Sequence, residues 1–162
     1  MKEKIKGKEE LRMILDRLRD AGKRIVFTNG CFDLLHVGHL RYLERARSLG
    51  DVLVVGVNSD LSVQGLKGSR RPILPLEERM ELLSGLGCID YVTYFEESTP
   101  LALIAVLKPH ILVKGGDWSK ETIVGREVVE GSGGEVVVLP FFEGNSTSNL
   151  VETILNRYAN RT

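Results

Sequence analysis

The stretch from Ile25 to Leu49 constrains the fold more than any other part of this 162-residue chain. Ile25, Val26 and Phe27 form a short apolar run, the mark of a buried strand. Thr28-Asn29-Gly30 interrupts that run with turn formers. From Val37 onward Leu40, Leu43, Ala46 and Leu49 recur at three-residue spacing, with Arg41, Glu44, Arg45 and Arg47 on the other side, which predicts an amphipathic helix. A buried strand therefore passes through a glycine turn into a helix, and His36 and His39 stand at the junction.

The remaining segments repeat this alternation. Residues 8–21 place Leu11, Leu15 and Leu18 on one stripe, a surface helix ended by Gly22. Strands are expected at 25–29, 52–57, 91–95, 111–113 and 136–139. Helices are expected after Pro75, over 100–107, over 122–130 and over 148–158, the last with Leu150, Val151, Ile154 and Leu155 turned inward. Residues 65–72 read as a basic, glycine-flanked loop carrying Lys67, Arg70 and Arg71, and Gly131-Ser-Gly-Gly134 reads as a turn. The expected fold class is α/β: a Rossmann-like, three-layer domain over residues 1–162, with a five-stranded parallel sheet and helices on both faces. Ligands of such sheets sit at the carboxyl ends of the strands. The polar clusters Thr28 to His39, Asn58-Ser59-Asp60, Lys114 to Trp118 and Asn145 to Ser148 all follow strands, so they are expected to share one site.

A helix start presents free N–H groups and a partial positive charge, and so attracts anions. His36 and His39 are three apart and share a face, and Gly38 between them lets a ligand approach the backbone. Two imidazoles that donate hydrogen bonds complete a cradle for a polyphosphate.

Gly30-Cys-Phe-Asp-Leu-Leu-His36-Val-Gly-His39 resembles the His-x-Gly-His signature of the nucleotidylyltransferase superfamily, which includes cytidylyltransferases and pantetheine-phosphate adenylyltransferase. Arg-Pro-Ile-Leu-Pro-Leu-Glu-Glu-Arg79 and Val-Lys114-Gly-Gly-Asp117-Trp118 narrow the resemblance to the heptose-phosphate adenylyltransferases, here as one domain. The resemblance implies joining ATP to D-glycero-D-manno-heptose 1-phosphate, giving ADP-heptose and pyrophosphate for lipopolysaccharide or surface-layer glycans. It implies His36, His39 and Lys67 as catalytic residues, Lys67 standing where related cytidylyltransferases carry a lysine in a Lys-Gly loop. Nucleotide contacts are expected from Thr28, Asn29, Gly30, Cys31, Phe32, Gly38, Lys114, Gly115, Asp117 and the helix start Ser146-Thr147-Ser148. Substrate contacts are expected from Asp33, Asn58, Asp60, Arg79 and Trp118; Asp33 is also read as orienting the turn, and an ion pair is the alternative for Arg79. The Asn-Ser-Thr-Ser segment departs from the superfamily's Ile-Ser-Ser-Thr motif, because no basic residue follows it before Arg157. Mg²⁺ is expected with ATP, without a dedicated side-chain site. A cytidylyltransferase of the same fold, using for instance glycerol 3-phosphate, and a nucleotide-binding module without catalysis are the alternatives.

Composition excludes other classes. Twenty-two basic residues balance twenty-two acidic ones, so neither a nucleic-acid nor a membrane partner is expected. Cys31 and Cys88 make no disulfide framework, and residues 1–24 are too charged for a signal peptide, so a cytoplasmic location is expected. The relatives imply a homodimer. No Gly-x-Gly-x-x-Gly or Walker lysine loop is present, which removes the usual support for a dehydrogenase or kinase.

Overall fold

The computed structural model describes residues 2–116, 119–140 and 146–159. Five strands, β1 (Ile25–Gly30), β2 (Val52–Asn58), β3 (Tyr91–Phe95), β4 (Ile111–Gly115) and β5 (Glu135–Leu139), form one sheet in the order β3-β2-β1-β4-β5. Every pairing is parallel. The helices are α1 (Lys8–Asp20), α2 (Val37–Arg47), α3 (Asp60–Lys67), α4 (Leu76–Ser84), α5 (Leu101–Leu107), α6 (Arg126–Gly131) and α7 (Thr147–Tyr158). The expected α/β class, parallel sheet and five strands are all present.

A parallel sheet buried on both faces needs strands that are apolar throughout, and β2 is buried at all seven positions. Phe27, Val52, Val54 and Leu112 pack on one side with Leu11 and Leu15 of α1, Leu103, Ile104 and Leu107 of α5, and Val129 of α6. Val26, Leu53, Val55 and Val113 pack on the other with Leu43 and Ala46 of α2 and Met80 and Leu83 of α4. The N-terminal helix thus packs on its own domain, with Leu11 and Leu15 fully buried. Ahead of it, Ile5 bridges to Val92 at the β3 edge, and Lys4 Nζ donates to Leu86 O and Ile89 O.

Three segments differ from the sequence expectation. Residues 60–67 form α3 rather than opening a loop, so Lys67 ends a helix. Ser59 caps it by accepting from Ser62 N at 3.2 Å, Val63 is buried, and Gly65 sits on the exposed side, where a glycine is tolerated. The segment expected as one helix over 122–130 splits into a short turn, Lys120–Thr122, and α6, separated by Gly125 with φ +91°. In α7 the apolar stripe is not turned inward: Leu150, Ile154 and Leu155 are exposed and none of its residues is buried. The spacing made an amphipathic helix, but none of the described residues forms a layer that buries that face.

β1 is flanked by β2 on one side and β4 on the other, so successive connections leave it in opposite directions. This is the topological switch point of a doubly wound sheet, where a crevice opens beyond the strand ends.

Candidate active site

A cleft of about 450 Å³ lies at that switch point. Its floor is the end of β1 (Asn29, Gly30) and of β4 (Lys114, Gly115); Cys31 to Asp33, His36, Gly38 and His39 form one wall, Lys67 another, and Ser146 to Ser148 a third. Of the four polar clusters expected to converge, three do. The cluster at Asn58-Ser59-Asp60 lies outside the lining, and Asp117, Trp118 and Asn145 lie outside the described residues.

The cradle is built by the turn after β1. Phe32 adopts a left-handed backbone, φ 46°, which costs about 1 kcal/mol or more for a non-glycine residue and persists where surrounding structure enforces it. That twist sets the Phe32 ring 5.4 Å from the His39 ring and against Gly30, where an added Cβ would come to 3.0 Å from the phenyl edge. His36 then occupies the N-cap of α2 with no side-chain cap hydrogen bond; His39 N–H donates to His36 O at 2.9 Å, which leaves the Val37 and Gly38 N–H groups of the first turn to face an anion. The two imidazoles stack with centroids 3.8 Å apart and planes at 24°. Stacked so closely, they do not both take up a proton easily. Burial, then the proximity of His36 and Lys67, holds His39 down to about 4, and burial lowers His36. Each Nδ1 is buried without a partner among the described residues. At neutral pH the pair is therefore uncharged, each ring keeping one N–H to donate.

This depression makes a stability prediction. Unfolded His39 protonates near 6.5, whereas the folded residue stays neutral down to about 4. Below the unfolded value the unfolded chain binds the extra proton, so stability is complete above that value and falls as pH drops toward 4. The Tm of His39→Gln should decline less steeply than that of the parent chain between pH 7 and 4.5; parallel profiles would show that His39 is not depressed.

Lys114 comes up from β4 and its Nζ donates to Asn29 Oδ1 at 2.6 Å, across the β1–β4 seam. Burial pulls its pKa down to about 8, with the Cys31 sulfur partly offsetting it. At the third wall, Ser146 Oγ caps α7 by accepting from Asn149 N at 3.1 Å, and Thr147 Oγ1 donates to Leu34 O. The N-terminus of α7 is thereby tied beside that of α2, two helix starts aimed at one volume.

Four expected contact residues, Thr28, Asn58, Asp60 and Arg79, lie outside the cleft lining. Thr28 is fully buried, and its hydroxyl lies 2.7 Å from that of Tyr42. Asn58 is buried and donates to Ser62 Oγ. Arg79 is 0% exposed and donates to Leu74 O, Cys31 O and Asp60 Oδ1, at 3.0, 2.6 and 2.7 Å. It is the ion pair that the sequence offered as the alternative, and Asp60 is its partner. Asp33 does border the cleft, but its carboxylate accepts from Arg71 Nε and from the Ile73 and Leu74 N–H groups, the role of orienting the turn.

Tyr42 is a lining residue the sequence reading missed. It follows His39 by three positions and so shares its helix face, the one available signal. Its hydroxyl donates to Val113 O at 3.3 Å, and burial pushes its pKa up to about 12, so it pins α2 onto β1 and β4 as a neutral phenol.

Switch-point placement, the stacked histidines at a helix start, and a lysine opposite them make a cleft whose chemistry suits an anion. The cytidylyltransferase-like family matches residues 27–149, and the chain belongs to that family of nucleotidyltransferases. Within it the chain is 56% identical over 156 residues to "Bifunctional protein HldE" of Pelobacter propionicus, and 54% identical over 155 residues to that of Geobacter sulfurreducens. Each alignment covers 96% of this chain but 32% of the relative, so the chain spans about a third of the length of these curated relatives. Among solved structures, a lipopolysaccharide core biosynthesis protein from Thermoplasma volcanium superposes with a TM-score of 0.62 at 28% identity, covering 76% of this chain and all of that one. Pantothenate synthetase from Thermus thermophilus superposes with a TM-score of 0.59 at 21% identity, covering 95% of this chain and 72% of that one, a likeness of fold alone. No helix among the described residues is long and apolar enough to cross a membrane.

Proposed function

We propose that this domain is an adenylyltransferase that joins ATP to D-glycero-D-manno-heptose 1-phosphate, releasing pyrophosphate and forming ADP-heptose. The observation that carries the reading is the stacked His36–His39 pair at the start of α2, facing one cleft with Lys67 and the start of α7. The motif resemblance to heptose-phosphate adenylyltransferases supplies the acceptor, and the similarity over 96% of the chain to HldE supports it.

The chemistry asks little of the protein beyond position and charge. A sugar phosphate is already anionic at neutral pH, so no side chain has to deprotonate it. One of its oxygens forms a bond to the α-phosphorus while the bond from that phosphorus to the bridging oxygen breaks, and the electron pair leaves on pyrophosphate. The N–H groups of His36 and His39 hold the bridging and α/β-phosphate oxygens as negative charge moves there. Lys67 neutralises the departing pyrophosphate, and Ser146 to Ser148 receive the β- and γ-phosphates. Asn29, Gly30, Cys31, Phe32, Gly38, Lys114 and Gly115 line the nucleotide's bed. Among the described residues no three His, Cys, Asp or Glu side chains converge on a metal, and the Asp33 carboxylate is already engaged. In this reading Mg²⁺ would enter with ATP and shield the triphosphate's charge. A cytoplasmic location, where ATP is made available, and a homodimer belong to the same reading; sedimentation of the purified chain tests the dimer.

The deciding experiment measures pyrophosphate release with Mg²⁺, crossing ATP and CTP against heptose 1-phosphate and glycerol 3-phosphate. Release with ATP and heptose 1-phosphate alone is the expected result. Release with CTP and glycerol phosphate would keep the mechanism and overturn the substrates. Nucleotide binding without release for any acceptor would make the domain a binding module.

A further inference from the structure

Two ion pairs bracket the segment that carries Lys67. At the start of α3, Asp60 Oδ1 accepts from Arg79 Nη2 at 2.7 Å; beyond its end, Arg71 Nε donates to Asp33 Oδ2 at 2.6 Å. Lys67 closes α3, four residues before Arg71, and Asp33 precedes His36 by three. The Asp33–Arg71 pair thus ties the chain bearing the lysine to the chain bearing the histidines, by one short link. The tie is braced on both sides. Asp33 Oδ1 accepts from Ile73 N at 2.8 Å and Leu74 N at 3.0 Å, while Arg79 grips Leu74 O and Cys31 O from beneath.

The pair is not a solvated surface contact. Side-chain exposure is 1% for Asp33 and 16% for Arg71, and Arg71 Nη2 is buried with no partner among the described residues. A buried donor left unpaired costs free energy, which the fold alone gives no reason to accept. The pair also brings a carboxylate to the wall of an anion site, where it repels phosphate unless a cation covers it. Arg71 covers it.

We propose that the Asp33–Arg71 pair sets the gap between Lys67 and the His36–His39 pair, which makes both members positioning residues of the transfer step. The proposal rests on the reading of the cleft as a nucleotidyl-transfer site. Because Arg71 acts through Lys67, removing it should matter only while Lys67 is present.

A double-mutant cycle tests this, combining Arg71→Gln with Lys67→Ala and reading kcat and KM for pyrophosphate release, Kd for inorganic pyrophosphate, and Tm. Arg71→Gln should lower kcat up to about 100-fold, the scale of an ångström-sized misplacement. In the Lys67→Ala background the same change should add less than about twofold, the range within which independent effects normally scatter. Arg71→Lys should recover most of the rate and Arg71→Met none of it. Effects that multiply across the two backgrounds, or Arg71→Met matching Arg71→Lys, would overturn the proposal. If Arg71→Gln fails to fold, Asp33→Asn takes its place, since its amide oxygen still accepts from Ile73 and Leu74. A parent chain that releases no pyrophosphate with any acceptor would sink the transfer reading alone, because the cycle in pyrophosphate Kd still decides the positioning role. A parent chain that binds no pyrophosphate would sink both.

Discussion

Replacing His39 with alanine should slow pyrophosphate release by about 10² to 10³-fold, the usual cost of removing one preorganised donor from a site of developing charge. The loss should fall on kcat and on kcat/KM alike, since the donor matters most when charge reaches the bridging oxygen. His39 is the half of the stacked pair more deeply shielded, its ring held between Phe32 at 5.4 Å and His36 at 3.8 Å. Being neutral at pH 7, it keeps one N–H as a fixed donor and has no proton to lose first. Folding should survive, because the ring borders a cleft rather than the sheet core and its Nδ1 has no partner among the described residues to abandon. Steady-state rates beside a thermal melt separate the two effects. Near-normal turnover would remove His39 from the chemistry.

Arg79→Ala should act on stability instead, costing roughly 1–3 kcal/mol, the scale of stranding buried acceptors, because the Asp60 carboxylate is 40% exposed and rehydrates. The side chain is fully buried, and its deletion strands Leu74 O and Cys31 O and releases the Asp60 carboxylate. These acceptors belong to three segments: the turn after β1, the start of α3 and the run into α4. Urea unfolding followed by circular dichroism measures the change as a shift in midpoint. A loss under about 1 kcal/mol, the ordinary scale of a single mutation, would show that water replaces the arginine and that the bracing is slack.

The alternation of apolar runs with amphipathic stretches made the sheet, its direction and the position of the cleft legible in the sequence. Strands buried on both faces leave an unbroken apolar signal, and β2 at Val52–Asn58 is such a case. What escaped was set by contacts between distant segments. α3 was hidden because Gly65 and the basic run after it looked like loop chemistry, whereas the Ser59 cap and buried Val63 decide the matter. The inward orientation expected of α7 failed because periodicity says that a helix has an apolar side, but not which neighbour receives it. The histidines, Lys67, Lys114 and the α7 start were legible as residues with a phosphate-binding chemistry. Arg79, Asp33 and Asn58 carry the same chemistry on paper, and only the folded chain shows their polar atoms spent on one another and on the backbone.

The seam between β1 and β4 is the shortest of the four ladders, with three register pairs against six between β1 and β2. It also joins strands some 85 positions apart in sequence, as the Lys114–Asn29 bond across it does. The cleft straddles that seam, so a nucleotide bound there as proposed would act as a clasp that holds the two halves of the sheet together. Occupancy would then slow the parting of β4 and β5 from the rest, and amide hydrogens in those strands would become the gauge of how firmly substrate is gripped.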